Sequence, residues 1–447
     1  MVGEQGKGQL RTLAVGHFLN APFVDACARH LGRIREVFFA WPGVLSCRPA
    51  PDFTPEVRAR MVSDLKWARD NGILLDTLFN CNCYGDIAIS DELADFAGRM
   101  LGEMDAEGLF PDIVTTTSPF LATIFRRRFP SLKIRLSVNM RVHGTVGFEP
   151  IMDLFDSFYA SRERHRELDW LAALSRWAKE NGKILGMQVN SGCIRQCPFQ
   201  QFHDNMHGHN RIAQSKVGEK FDFSVFLCRT NYERGRYEDF LRSTWIRPED
   251  LPEYERHVEV VKLATRRHPH PVEVLDAYAT YSYDGNLADL MDACHSFPKS
   301  FDNKSFDAVP RLWREVRGCA RANDCVHCGK CAELMKAVFR EGGAGRTTGA
   351  LAPPNPAQGA ALPRSAPPNP AQGAALPRSA APNPAQGAAL PRSAPPGQGP
   401  CGRTTGALEP PNPAQGAALP HSAPPNPARG FIDCSRGFGG ATPVVRN

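Results

Sequence analysis

Two groups of cysteines have the spacing of metal ligands. Val189-Asn190-Ser191-Gly192-Cys193-Ile194-Arg195-Gln196-Cys197-Pro198-Phe199 places two thiols with three residues between them. The second group is Cys319, Cys325, Cys328 and Cys331, in CARANDCVHCGKC. Thiolates are soft donors, and four of them suit zinc or an iron–sulfur cluster. Pro198 directly after Cys197 fixes the turn and removes a backbone donor, as cluster loops require. Between the groups, Cys228 ends the apolar run 223–227. His203, His207 and His209, in FHDNMHGH, offer further zinc donors. A radical-SAM loop fits poorly: it needs C-x3-C-x2-C early in the barrel, and here the third position after Cys197 is Gln200 and the loop comes late. Cys27, Cys47 and Cys294 sit in apolar or loop contexts that usually hold inert thiols.

Other chemistry-bearing residues recur just after short apolar runs. They are His17 and Asn20; Asn80, Cys81 and Cys83; Ser118; Asn139, Arg141 and His143; Arg162 and Glu163; and Asn190. Lys262 and Arg266 accompany the last run, VVKLATRR. These two cations, with Asn139 and Arg141, are the candidate holders of an anionic substrate. The runs that would carry them read as strands at 13–18, 36–41, 74–79, 112–116, 133–138, 157–160, 183–189 and 260–264. Amphipathic segments lie between. One has Val57, Met61, Leu65 and Ala68 on one face and stops at Asn71-Gly72; one opens at Ser90-Asp91 and stops at Gly108; one runs from Leu168 to Asn181-Gly182. Apolar residues at i, i+3, i+4 and i+7 with terminal glycines are helical signals. Alternation of eight strands with helices predicts a parallel (β/α)8 barrel of the TIM type, whose active site forms at the strand C-terminal ends. No glycine-rich phosphate loop follows the first strand, which argues against a dinucleotide site.

The chain has 447 residues and a net charge of +6, but the charge is unevenly placed. Residues 342–447 hold 22 of the 38 prolines, eight Arg, no Lys, and only Glu409 and Asp433 as acids. Residues 1–341 therefore balance at 45 bases and 45 acids, so bulk charge gives no nucleic-acid signal. From Ala352 the chain repeats APPNPAQGAALPRS, a unit with one Leu and no face to pack. The expected organisation is a disordered N-terminus (1–10), a barrel (11–295), a Cys-rich helical segment (296–341) and a disordered tandem-repeat tail (342–447). Truncation after residue 341 should leave iron content and solubility unchanged; loss of either would make the tail structural. No run approaches 18 uninterrupted apolar residues, and Met1–Arg11 is polar and glycine-rich. The expectation is a cytoplasmic protein without a membrane span, whose 14 cysteines serve as thiols or metal ligands rather than disulfides.

VNSGCIRQCPFQQFHDN, then Cys228, STWIRPEDLPEYE, VVKLATRR, AYATYSYDGNLADL and NDCVHCGKC follow one another in an order that resembles the peptidase U32 family. Its relatives include accessory proteins of ubiquinone hydroxylation and enzymes that hydroxylate RNA bases. The resemblance spans about residues 10–341 and implies a barrel holding a 4Fe-4S cluster, with Cys193, Cys197 and Cys228 matching barrel ligands. The fourth ligand would come from Cys319–Cys331, or those four thiols would hold a second cluster. The implied activity is oxygen-independent hydroxylation of an RNA base or a small aromatic or quinone-type molecule. The alternatives are an accessory protein supporting a partner enzyme, a peptidase, or a structural zinc protein. Trp245, Arg247, Glu249 and Asp250 read as the opening of a helix, with Pro248 in its first turn.

Overall fold

The computed structural model describes residues 11–48, 53–206, 208, 231–232, 234–292, 300–319 and 325–340. The N-terminal ten residues, Cys228, Cys294, His207, His209 and the repeat tail lie outside the described residues.

Eight parallel strands close into a barrel: β1 Leu13–Gly16, β2 Ile34–Phe39, β3 Leu74–Phe79, β4 Ile113–Thr116, β5 Lys133–Leu136, β6 Ser157–Tyr159, β7 Ile184–Gln188 and β8 Val260–Leu263. Each strand pairs with the next, and β1 closes on β8 with Ala14 opposite Lys262. All eight expected strands are present, because strands buried on both faces read as continuous apolar runs. Several end one or two residues early. β1 stops at Gly16 rather than 18, and Val138 belongs to a 3-10 turn, Val138–Met140. The chain leaves the sheet there to build the loops at the mouth.

Helices α1 Phe23–Ala28, α2 Pro55–Asp70, α3 Asp91–Ala106, α4 Pro119–Arg128 and α5 Leu168–Glu180 alternate with the strands, and a further helix, Pro271–Thr280, follows β8. Local chemistry sets their limits. Thr54, Ser90 and Ser118 accept hydrogen bonds from the amides of Val57, Leu93 and Leu121, satisfying first-turn donors. α2, α3 and α5 run out at Gly72, Gly108 and Gly182, all in the left-handed region that favours glycine. Among the described residues no helix is long and apolar enough to cross a membrane.

The barrel lumen is charged at mid-height. Arg135 from β5 donates through Nη2 to Glu36 Oε2 at 2.9 Å, and its Nη1 bonds the other Glu36 oxygen. Arg135 Nη1 also lies 3.1 Å from Asp76 Oδ2, and Thr115 Oγ1 donates to Asp76 at 2.8 Å. Above this layer stand the rings of Phe38 and Tyr159. A Cβ on Gly16 would come within 2.7 Å of the Phe38 ring, and one on Gly186 within 2.7 Å of the Tyr159 ring. Both glycines are therefore required for the aromatics to cross the lumen.

The WIRPED motif is structural. Trp245 is fully buried and stacks on Trp313 of the helix Pro310–Arg317, at 5.3 Å and 15°. Asp250 Oδ2 accepts from Trp313 Nε1 at 2.7 Å, and Arg247 Nε donates to Asn303 Oδ1 at 2.8 Å. Buried Arg166 donates to the backbone carbonyls of Leu241, Ser243 and Arg317, with its guanidinium over both indoles. The expected helix is a 3-10 turn, Pro248–Asp250, leading into Leu251–Glu255. Its residues hold the C-terminal helix against the barrel.

Candidate active site at the barrel mouth

Loops after β2, β3, β5, β6, β7 and β8 converge on a partly open cavity of about 90 Å³. Cys47, Arg48, Asn80, Asn139, Arg162, Gln188, Cys193, Asp204, Lys262, Arg266 and Asp292 contribute to its wall. Its acids are already engaged. Asp292 is 2.5 Å from Arg48, and Asp204 is 3.1 Å from Arg141 while accepting from Gln200 at 3.0 Å. Three cations are left over, Arg162 and Lys262 buried and Arg266 half-buried. Arg162 Nη1 reaches Ser191 Oγ at 3.4 Å and Cys193 Sγ at 3.9 Å. Arg266 Nη1 reaches Ser46 Oγ at 3.4 Å. Lys262 Nζ lies over the Phe38 ring at 4.0 Å and the Tyr159 ring at 5.1 Å. Among the described residues none of these three has a carboxylate within ion-pair distance.

Burial pulls Lys262 down from the usual lysine range to about 8, against the opposing pull of Asp76 and Cys47. Burial likewise brings Arg266 down to about 10. Unbalanced cations out of water are costly, and an anion in the cavity would offset that cost.

Of the four expected substrate holders, Asn139, Lys262 and Arg266 line this cavity. Asn139 also donates to Asn82 Oδ1 at 3.1 Å. Arg141, in the left-handed region at φ 52°, stands behind the wall and orients Asp204. Arg48, Asp204, Asp292 and Cys47 were not evident from sequence. They lie in loops without periodicity, and Cys47, which reads as inert, faces the same cavity as Cys193. Cys27 fits the inert reading: it is buried, and burial pushes its thiol up to about 12. Asn190 is structural, accepting from Ala264 N at 2.7 Å and donating to Leu290 O at 3.1 Å.

The expected ligand cysteines fall in two places. Cys193 and Cys197 follow β7, half-buried, and burial raises the Cys197 thiol against a lowering hydrogen bond from the Phe199 backbone. Cys319, Cys325 and Cys331 line a different cavity of about 250 Å³ with Arg195, Arg236 and Arg242. Cys193, Cys197, Cys319, Cys328 and Cys331 carry free thiols. Soft undisulfided thiols are the right donor chemistry for a cluster or zinc. Among the described residues no three donors are gathered at metal-binding distance.

No family model matches the chain. An uncharacterized protease, MJ1657, of Methanocaldococcus jannaschii is 21% identical over 320 residues, which is 68% of this chain and 89% of that protein. The solved structure of the U32 peptidase Mk0906 is similar at 16% identity with a TM-score of 0.40, covering 59% of this chain and 95% of its own. A putative dehydratase from Mesorhizobium loti is also similar, at 18% identity and a TM-score of 0.26, over 42% of this chain and 50% of that one. In this chain, Ser161 Oγ lies 3.1 Å from His143 Nδ1. Ser161 is fully buried, its Oγ accepts from Glu163 N, and neither residue lines the mouth cavity. That pair does not make a hydrolytic nucleophile facing a substrate.

Proposed function

We propose that this chain is an iron–sulfur-dependent enzyme of the U32 family that binds a small anionic molecule at the barrel mouth. The observation that carries the reading is the convergence of Arg162, Lys262 and Arg266, each without a carboxylate partner among the described residues, on one cavity with Cys193. Cys193 and Cys197 would hold the cluster, with Cys228 from the family resemblance. A cluster there would supply single electrons to a molecule bound in the mouth. The chain's own residues do the rest. Arg162 and Arg266 hold the anion, Arg48 is oriented by Asp292, and the Phe38–Tyr159 layer closes the floor against water. The reaction we assign is the oxygen-independent hydroxylation that the family resemblance implies. A small aromatic or quinone-type substrate suits the volume better than an RNA base with its flanking nucleotides.

Binding of phthalate, a small aromatic dianion, tests the site by calorimetry on anaerobically prepared protein. Arg162→Met and Arg266→Met should each weaken it at least tenfold. Thermal stability should stay within about 1 kcal/mol, because neither cation gives up a carboxylate partner. A large stability loss with phthalate binding intact would make both arginines structural and overturn the proposal.

A further inference from the structure

We infer that Lys262 is a nucleophilic amine that captures an anionic carbonyl compound, of the 2-oxo acid class, as an imine at the barrel mouth. The inference rests on the proposed anion site and adds a covalent role for one of its cations. Lys262 comes from β8, its residue is 6% exposed, and it lines the mouth cavity. A lysine kept only to bind an anion electrostatically is best left ionised and paired. This one is instead set in an aromatic enclosure, with Phe38 and Tyr159 on two sides. The enclosure is specifically constructed, since Gly16 and Gly186 surrender their side chains to admit those two rings.

The charged groups around it are accounted for. Asp76 on β3 is the carboxylate that most favours the ammonium, but it is already held by Arg135 and by Thr115. Glu36 on β2 is held at both oxygens by the same arginine. Cys47, in the loop after β2, favours the ammonium, whereas Arg135 on β5 and Arg266 beyond β8 disfavour it. The balance leaves the amine near 8, so at pH 7 it carries roughly 300 times the neutral form of a lysine at 10.5. Desolvation beside other cations is how amine nucleophiles are activated.

The step balances within the site. The Nζ lone pair attacks the carbonyl carbon, one nitrogen proton passes to the carbonyl oxygen to give a carbinolamine, and its hydroxyl leaves with the second nitrogen proton as water to give the C=N bond. Arg162 and Arg266 line the same cavity and would hold the adjoining carboxylate, keeping the carbonyl carbon near the amine.

Glyoxylate and pyruvate serve as probes, with sodium borohydride to reduce any imine to a stable secondary amine. Intact-protein mass and peptide mapping at pH 7.5 should show one adduct, on Lys262, at least tenfold above any other lysine. Its yield should rise between pH 7 and 9 and vanish in Lys262→Met. Arg266→Met should lower the yield at sub-saturating probe while leaving Lys262 modifiable at high concentration. Labelling spread over surface lysines such as Lys66 and Lys133, with Lys262 unmodified, overturns the inference. Pyruvate binding by calorimetry without any trapped adduct overturns the covalent role alone and leaves the anion site standing. Absence of both pyruvate and phthalate binding removes the proposed function as well.

Discussion

Serine in place of Cys193 or Cys197 should strip iron from anaerobically prepared protein and bleach its visible absorbance. The two residues leave β7 together at the mouth, and thiolates brought close without a cation repel one another. A positive centre relieves that repulsion, and Arg162 already stands 3.9 Å from Cys193 Sγ. Loss should be close to complete in either variant, because a cluster missing one thiolate leaves an iron open to solvent. Iron, acid-labile sulfide and zinc are measured side by side in wild type and variants. Serine variants of Cys319, Cys325, Cys328 and Cys331 form the contrast set, since three of those thiols border a separate cavity. If only that set loses metal, the cluster belongs to the C-terminal segment and the mouth thiols are bystanders. Stoichiometric zinc without iron would sink the hydroxylase reading.

Arg135→Met should cost roughly 3–5 kcal/mol of stability at neutral pH, the scale for removing one partner of a buried ion pair. Arg135 is 2% exposed, and the substitution strands Glu36 and Asp76, both fully buried. The pH dependence follows from Asp76. Burial lifts its carboxyl to about 6 even with Arg135 pulling it down. A carboxyl raised in the fold binds more protons folded than unfolded, so its contribution to stability falls as pH rises from about 4 to 6. Without the arginine the downward pull is gone, and the unfavourable window deepens and extends upward. Urea unfolding should therefore show a smaller deficit at pH 5 than at pH 7.5. A deficit that is flat, or larger in acid, would mean that the stranded carboxylates are not what the substitution costs.

The barrel was legible in the sequence because its strands are buried on both faces, and because Asn71-Gly72, Gly108 and Asn181-Gly182 punctuate the helices. Lys262, Arg266, Asn139 and Cys193 were legible for a related reason: each falls at or just beyond a strand's C-terminal end. Arg48 and Asp292 were not. Their 2.5 Å pairing joins the loop after β2 to a segment 244 residues on, and only closure of β1 onto β8 makes those loops neighbours. The WIRPED motif was legible only locally. It reads as the opening of a helix, and what the spacing does not tell is that its polar atoms are spent on Trp313, Asn303 and Asp307. Spacing identifies such a motif, but only the partners reveal its task.

The floor made by Phe38 and Tyr159, seated on the Glu36–Arg135–Asp76 layer, turns the barrel into a blind well rather than a conduit. Whatever binds at the mouth must leave by the path it came, so traffic is single file. Product lingering there excludes the next substrate molecule, and inhibition by product should be strictly competitive. A molecule with two dissimilar ends can enter in only one useful orientation, head first toward the cations. Its far end is left in the opening, where a second macromolecule could still reach it.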